Sequence, residues 1–188
     1  MPKSSAASGL LDADHPDFLR LSAEEATALG QRALEAVGYS GEDARITIDQ
    51  LVDNSLCGYR FAGLPRVLAI ATDVKTKQAR KPVSIVRETP VSALIDGGNN
   101  IGYIAAYRAA EVAIKKAKTS GMATVGAYNS YYSGRNAYFV EKIVKEGLVA
   151  FHTSAASPRV LPPGAAKPML GTNPICFGFP STGDPIIW

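Results

Sequence analysis

The feature that most constrains the fold is an alternation of strand-prone and helix-prone runs in the second half of the chain. A strand is predicted over Ala123–Tyr128, a helix over Asn136–Lys145 and another strand over Leu148–Thr153. Strand–helix–strand units of this length are typical of parallel pairing through a right-handed crossover. The pattern predicts an α/β fold in which these two strands pair in one sheet.

The first part of the chain is predicted to be helical. Ser22 and Glu25 have the spacing of a capping box, and apolar residues then recur at helical spacing until Gly38. Ser40 begins a second helix, and a third is predicted between Leu64 and Val74. We therefore expect a helical subdomain at this end of the chain.

Three parts follow from this pattern: a flexible tail over residues 1–20, a helical N-terminal subdomain over residues 21–78 and an α/β domain over residues 79–188. The run Pro185–Trp188 has the composition of the start of a strand. We expect the chain to be truncated there at its C-terminus, which would leave this run without strand partners. A genuine C-terminal edge strand is the alternative.

The α/β domain opens with two β-rich runs, Val83–Arg87 and Val91–Ile95, which predict a hairpin or two paired strands. The next segment, Asp96–Asn100, is dense in turn-forming residues and predicts a turn. An amphipathic helix is predicted from Ile104 to Lys118, where basic residues suit its C-terminus.

Composition limits the class of protein. The 188 residues are 46% hydrophobic and 20% charged, which is ordinary for a soluble globular protein. The net charge of +3 and the scattered basic residues argue against nucleic-acid binding. Two cysteines imply no disulfide framework, and no apolar run approaches the roughly 18 residues of a membrane span. The prediction is a cytoplasmic protein that binds neither nucleic acid nor membrane.

Two loops follow predicted strands, at the carboxyl ends where open α/β sheets bind ligands, and a third segment, Leu170–Ile175, leads into the predicted strand Cys176–Phe179. Asn129–Gly134 leads into a helix N-terminus, which favours a phosphate or carboxylate, and Ser154–Pro158 has small residues that let a ligand approach the backbone. Thr172 and Asn173 offer a hydroxyl and an amide. The plainer interpretations are an N-cap with packing tyrosines, a surface turn and an Asx turn before a proline, and composition leaves both sets open.

The common nucleotide and metal motifs are absent from the sequence. No GxGxxG follows a strand, and no GxxxxGK[ST] occurs. His15 and His152 belong to no ligand cluster, so no metal site is predicted. Cys57 and Cys176 are interpreted as buried small residues.

Several segments, in their order and spacing, together resemble the malate/L-lactate dehydrogenase family, the non-Rossmann group that includes ureidoglycolate dehydrogenase, sulfolactate dehydrogenase and piperideine-2-carboxylate reductase. The resemblance runs from about Leu21 to Trp188 and rests on Arg87–Pro90, Leu94–Asn99, Asn129-Ser130 with Gly134, Leu161-Pro162-Pro163-Gly164 and Leu170-Gly171-Thr172-Asn173-Pro174. It implies a helical N-terminal region followed by a mixed, non-Rossmann α/β domain that binds NAD or NADP. It also implies a homodimer and a chain nearly twice as long, which supports truncation.

The resemblance assigns site residues as well. Arg66 matches the arginine that holds the substrate carboxylate, a task that suits a planar two-pronged donor. Thr172 and Asn173 are expected to help bind the same small carboxylate. The expected cofactor-binding residues are Asn129, Ser130, Gly134, Ser154 and Ser157.

Both histidines of the family are missing. Ala62 stands at the first position, next to Phe61, and Tyr132 stands at the second. Reduction of a 2-oxo acid needs a proton on the developing alkoxide, and a tyrosine with a reference pKa of about 10 can donate one but is a poor base at neutrality. Tyr132 is thus the candidate catalytic acid, and a packing tyrosine in a former active-site loop is the alternative.

The predicted function is an NAD(P)-dependent oxidoreductase that acts on a small 2-oxo or 2-hydroxy acid or on a cyclic imino acid. A cyclic imine is often already protonated, so hydride transfer to it demands less from an enzyme acid. The rival hypothesis is a catalytically impaired binding homologue that keeps the fold and Arg66 but has lost turnover. Ala62 and Phe61 favour that rival.

Overall fold

The computed structural model describes residues 19–188, so nearly all of the predicted tail over residues 1–20 lies outside the described residues. Helices and strands alternate in a mixed α/β arrangement after a helical N-terminal region, which confirms the predicted fold class. The helices are α1 (Ala23–Ala36), α2 (Gly41–Leu56), α3 (Arg66–Thr72), α4 (Gly102–Ser120) and α5 (Asn136–Val144). The strands are β1 (Ser84–Thr89), β2 (Ser92–Ile101), β3 (Thr124–Tyr131), β4 (Ala150–Thr153), β5 (Ile175–Phe179) and β6 (Ile186–Ile187).

The helix starts follow the predicted capping chemistry. The Ser22 hydroxyl accepts from the Glu25 backbone N–H at 3.1 Å, and the Glu25 carboxylate accepts from the Ser22 N–H at 2.8 Å, which confirms the capping box. Ser40 caps α2 by accepting from the backbone N–H of Asp43. The third helix is shorter than predicted, because Asp73 turns to an extended conformation directly after α3.

One large core joins the helical region to the first sheet. Apolar side chains of α1, α2 and α3 pack against the end of β2 and the start of α4. The fully buried members include Leu34, Ile48, Leu51, Ile70, Ile101 and Ile104. The same cluster contains Tyr103 and Tyr131, so the core extends to the place where α4 begins and β3 ends.

The first sheet has the order β1-β2-β3. β1 and β2 form the predicted antiparallel hairpin, and β2 pairs in parallel with β3 through α4. The predicted turn at Asp96–Asn100 is wrong, because this segment lies inside β2 as an irregularity in the register. Its turn chemistry is real but local: Asp96 accepts from the Gly98 N–H at 2.8 Å, and Gly98 and Asn99 have positive φ angles of 60° and 61°.

The second sheet is antiparallel with the order β4-β5-β6. The predicted parallel pairing of the strands on either side of α5 is wrong, since β3 belongs to the first sheet and β4 pairs with β5. The expectation that Pro185–Trp188 lacks partners is also wrong. Ile186 and Ile187 pair with β5, and Trp188 exchanges two backbone hydrogen bonds with Phe177. Cys176 is buried as predicted, whereas Cys57 is exposed at the end of α2.

His152 is a partly buried titratable group on β4. Its ring lies 5.4 Å from that of Phe139, and its Nδ1 is buried without a hydrogen-bond partner among residues 19–188. Burial lowers the pKa of this imidazole, because the charged form loses solvation. The neutral imidazole is therefore the form that the fold stabilises.

We predict that this histidine makes stability pH-dependent. Because the folded-state pKa is lowered, the unfolded chain binds the proton more tightly; the stabilisation is present above about pH 6.5 and is lost as the pH falls through the folded-state value. In urea denaturation of the protein as a function of pH, His152→Gln should flatten the decline below about pH 6.5. His15→Gln is the control, and a decline that disappears with this change instead would contradict the assignment.

Candidate active-site cleft

A cleft of about 310 Å³ lies where the segment after α2, the start of α3, the start of α4 and the loop before α5 come together. It contains three sequence-predicted residues that are distant along the chain: Arg66, Tyr132 and Gly134. Phe61 and Ala62 form another part of the wall. Hereafter the tyrosine cleft means the space lined by Tyr59, Phe61, Ala62, Arg66, Tyr103, Tyr132, Gly134 and Arg135.

Arg66 is the available cation of the tyrosine cleft. Its guanidinium carbon lies 5.6 Å from the centroid of the Tyr132 ring, within the range of a cation–π contact. No carboxylate in the described part of the chain forms an ion pair with it. An anionic ligand would therefore meet a cation that no described carboxylate neutralises.

The Tyr132 hydroxyl donates a hydrogen bond to another side chain. Its hydroxyl donates to Oδ2 of Asp73 at 3.0 Å, and its backbone has a positive φ of 55°. The hydrogen bond to Asp73 is the main reason that the pKa of Tyr132 is raised; burial and the carboxylate charge add to it, and Arg66 partly opposes it. The phenol is neutral near pH 7 and cannot act there as a base. Its role as catalytic acid stays a prediction, and that role would require the hydroxyl to turn from Asp73 to the substrate.

Tyr103 and Gly134 shape the inner wall. Tyr103 is 2% exposed, and burial raises the pKa of its hydroxyl to about 12. Gly134 has a φ of 79°, and a Cβ at this position would lie 2.4 Å from Cε1 of Tyr103. Only glycine combines this backbone conformation with such a close approach.

Arg135 is a cation whose charge is already balanced. It donates from Nη1 to Glu141 at 2.9 Å, from Nε to the Asn54 side chain at 3.0 Å and from Nη2 to the carboxylate of Asp53. Its backbone carbonyl accepts from the Gln50 amide at 3.2 Å. These contacts bind the loop before α5 to α2 and leave this arginine little capacity for a ligand anion.

The N-terminus of α5 connects the tyrosine cleft to the loop after β4. No side chain caps this helix. The Asn136 amide donates to the Pro174 carbonyl at 3.1 Å, and its oxygen accepts from the Ser154 hydroxyl at 3.3 Å. Two predicted cofactor residues, Gly134 and Ser154, thus flank a helix N-terminus, which is a favourable place for a phosphate.

The remaining predicted residues lie outside the tyrosine cleft lining. Asn129, with a φ of 53°, donates to the Asp96 carboxylate at 2.8 Å, and Ser130 lies beside Gly97 at the end of β3. Asn173 accepts from the Ala156 N–H at 3.0 Å, which ties its loop to the loop after β4. The other two, Ser157 and Thr172, are exposed in those loops.

The described residues place no histidine in the lining of the tyrosine cleft and contain no candidate metal site. His152 lies in the second sheet, away from the tyrosine cleft lining, and His15 lies outside the described residues. Within residues 19–188 no group of three or more His, Cys, Asp or Glu side chains is placed to hold a metal. None of the helices in that range is long and apolar enough to cross a membrane.

Comparison with known proteins places these features in a family. A family model described as malate/L-lactate dehydrogenase matches residues 21–188. The chain belongs to the malate/L-lactate dehydrogenase family. Among curated members of this family, it is 33% identical over 165 residues to L-sulfolactate dehydrogenase of Methanothermobacter thermautotrophicus, covering 87% of this chain and 48% of that protein. It is 32% identical to ureidoglycolate dehydrogenase (NAD(+)) of Escherichia coli, covering 90% and 49%.

Solved structures of the family agree with the fold. Malate dehydrogenase from Pyrococcus horikoshii superposes with a TM-score of 0.85 at 31% identity, covering 90% of this chain and 49% of that one. Sulfolactate dehydrogenase from Methanocaldococcus jannaschii gives 0.83 at 30% identity, covering 90% and 50%. The chain therefore spans about half the length of the relatives it matches.

Sequence reasoning missed three residues of the tyrosine cleft: Tyr59, Tyr103 and Arg135. Tyr103 falls on the apolar face of α4 and looks like an ordinary core residue. Arg135 gave a weak signal, as the charged residue directly before a largely apolar helix.

We predict that closing the inner wall disrupts the tyrosine cleft. Gly134→Ala and Gly164→Ala both place a side chain at a φ of 79°, but only the first meets other atoms within 4 Å. The backbone strain of about 1 kcal/mol should be common to both, and Gly134→Ala should cost roughly 1–3 kcal/mol more because Tyr103 must move. Chemical denaturation measures the loss of unfolding free energy in both variants. Equal losses would contradict the prediction, because they would show that Tyr103 moves aside at no cost.

Proposed function

We propose that the protein is an NAD(P)-dependent oxidoreductase that acts on a small 2-oxo or 2-hydroxy acid or on a cyclic imino acid. Arg66 carries this proposal, because its guanidinium faces an aromatic cleft without a described carboxylate partner. Such a site suits a small carboxylate, which binds a guanidinium through two hydrogen bonds. The names of the relatives support the reaction class, since they are malate, sulfolactate and ureidoglycolate dehydrogenases.

The residues around α5 fit a dinucleotide. The uncapped helix N-terminus lies between Gly134 and Ser154 and would hold a phosphate, while the hydroxyl and amide of Ser130 and Asn129 lie at the end of the preceding strand. We assign Ser157 to the same region, and Thr172 and Asn173 to the substrate side. The nicotinamide, when bound, supplies the hydride. Both NAD(+) and NADP(+) occur in the names of relatives, so the preferred cofactor has to be determined by experiment.

The need for a proton donor favours a cyclic imino acid over a 2-oxo acid as the substrate. The titratable residues that line the tyrosine cleft are two arginines and three tyrosines, and the pKa values of Tyr103 and Tyr132 are raised. Neither Tyr103 nor Tyr132 therefore has the near-neutral pKa of an efficient general acid. A protonated cyclic imine brings its own proton, so that Arg66 need only hold its carboxylate while hydride adds to carbon.

A second candidate is a binding homologue without turnover. Phe61 and Ala62 present apolar surface to the tyrosine cleft, and the Tyr132 proton is directed to Asp73. In this case the carboxylate site and the cofactor region would persist for binding alone. For either candidate we propose a cytoplasmic homodimer, as the family resemblance implies.

The test is a substrate panel on the full-length protein with NADH and NADPH. We expect turnover of a cyclic imino acid such as piperideine-2-carboxylate to exceed that of 2-oxo acids. Turnover of pyruvate or oxaloacetate without imine activity would contradict the preferred substrate. Binding of NADPH, followed by fluorescence, without any turnover would support the binding homologue, and absence of nicotinamide binding would refute both.

We predict that Arg66 dominates substrate affinity. Arg66→Ala should raise KM for the carboxylate substrate by roughly 30-fold or more, because a charge-assisted bidentate contact is worth about 2 kcal/mol or more. Arg66→Lys should recover only part of this, since an ammonium lacks the planar fork. Arg32→Ala, an exposed change on α1, is the matched control. An unchanged KM in Arg66→Ala would refute the proposal that Arg66 binds the substrate carboxylate.

A further inference from the structure

Tyr132 lies between the two ends of α3. Arg66, the first residue of this helix, has its guanidinium over the Tyr132 ring at 5.6 Å. Asp73, the residue directly after the helix, accepts the Tyr132 hydroxyl proton at 3.0 Å. One tyrosine from the loop after β3 therefore contacts both the start and the end of α3.

Asp73 is itself fixed in place. Its Oδ1 accepts from the backbone N–H of Lys75 at 2.7 Å, which leaves Oδ2 for Tyr132. Its own N–H donates to the carbonyls of Ala69 and Ile70 at the end of α3. The carboxylate is thus anchored to the helix and to the turn after it.

Tyr132 needs such an anchor. It is 41% exposed and its backbone adopts the left-handed conformation, which costs a non-glycine residue energy. Without the hydrogen bond of its hydroxyl, the exposed Tyr132 side chain would sample several rotamers. The Arg66 guanidinium would then lose its contact with the ring.

We propose that Asp73 is a positioning residue for the carboxylate-binding arginine, acting through Tyr132. The carboxylate holds the phenol, the ring faces the guanidinium, and Arg66 is thereby pre-organised toward the tyrosine cleft. Tyr132 contributes its ring to substrate affinity, and its hydroxyl serves as the anchor. This inference rests on the proposed role of Arg66, and it assigns no chemical step to Asp73.

The experiment measures binding of oxalate, a small carboxylate probe, by calorimetry on the full-length protein, together with KM and kcat for its best substrate. Asp73→Asn is the main variant, because its amide oxygen still accepts from Lys75 while the acceptor for the phenol is replaced by a donor. We expect the Kd for oxalate and KM to rise about tenfold with kcat changed less than threefold. Asp184→Asn, an exposed aspartate, is the matched control and should change neither.

Tyr132→Phe completes the test. This change removes the donor of the Tyr132–Asp73 hydrogen bond, so it should weaken oxalate binding by the same factor as Asp73→Asn. The double variant should bind oxalate no more weakly than either single variant. Additive losses, or an oxalate affinity within twofold of wild type in Asp73→Asn, would overturn the inference, as would a wild-type protein that does not bind oxalate. Arg66-dependent oxalate binding without nicotinamide turnover would refute the proposed function alone. A thermal melt of each variant checks folding, and Asp73→Ala replaces Asp73→Asn if the latter melts early.

Discussion

Arg135 joins the helical N-terminal region to the α/β part of the chain, and the tyrosine cleft depends on that junction. Its guanidinium bonds Asp53 and Asn54 on α2 and Glu141 on α5, and it is largely shielded from solvent. Loss of one partner in such a network leaves a shielded charge unpaired, which is far more costly than loss of an exposed ion pair. The network fixes the loop that carries Tyr132 and Gly134 against α2, and Asn54 also bonds the carbonyl of Ala62 in the segment after that helix. The site is therefore a product of the packing between two parts of the chain.

The sequence predicted those structural features that depend on residues close together along the chain. The Ser22–Glu25 capping box and the hairpin of β1 and β2 depend on contacts over a few residues, and both were predicted. The turn predicted at Asp96–Asn100 was wrong, because a strand can absorb turn-forming residues as a bulge when its neighbours pair on both sides. Strand partners are a non-local choice. The β4 strand has apolar side chains that α5 can bury equally well whichever strand lies beside it, so the pattern alone could not reveal β5 as the partner.

The site shows the same division. A resemblance placed Arg66, Tyr132 and Gly134 in one site, and these three line the tyrosine cleft. It could not show that Asp73 accepts a hydrogen bond from the Tyr132 hydroxyl, because the two residues follow α3 and β3 respectively and meet only in the folded chain. Tyr103 escaped notice for a different reason. A buried tyrosine on an amphipathic helix has the pattern of core, and only its place beside Gly134 shows that the core forms a wall of the cleft.

Tyr132 stands where the family resemblance implies a histidine, and the two side chains differ in the chemistry that they can perform. A histidine can hold a substrate and exchange a proton with it, because its pKa is close to the working pH. Tyr132 is bonded to a carboxylate that raises its pKa, so the same position now favours a neutral, fixed ring. In the proposed function, a fixed ring beside Arg66 helps to orient the guanidinium toward a carboxylate, and the raised pKa makes the phenol a weaker acid near pH 7. We therefore propose that this position serves binding, which suits a substrate that is already protonated or a protein that only binds.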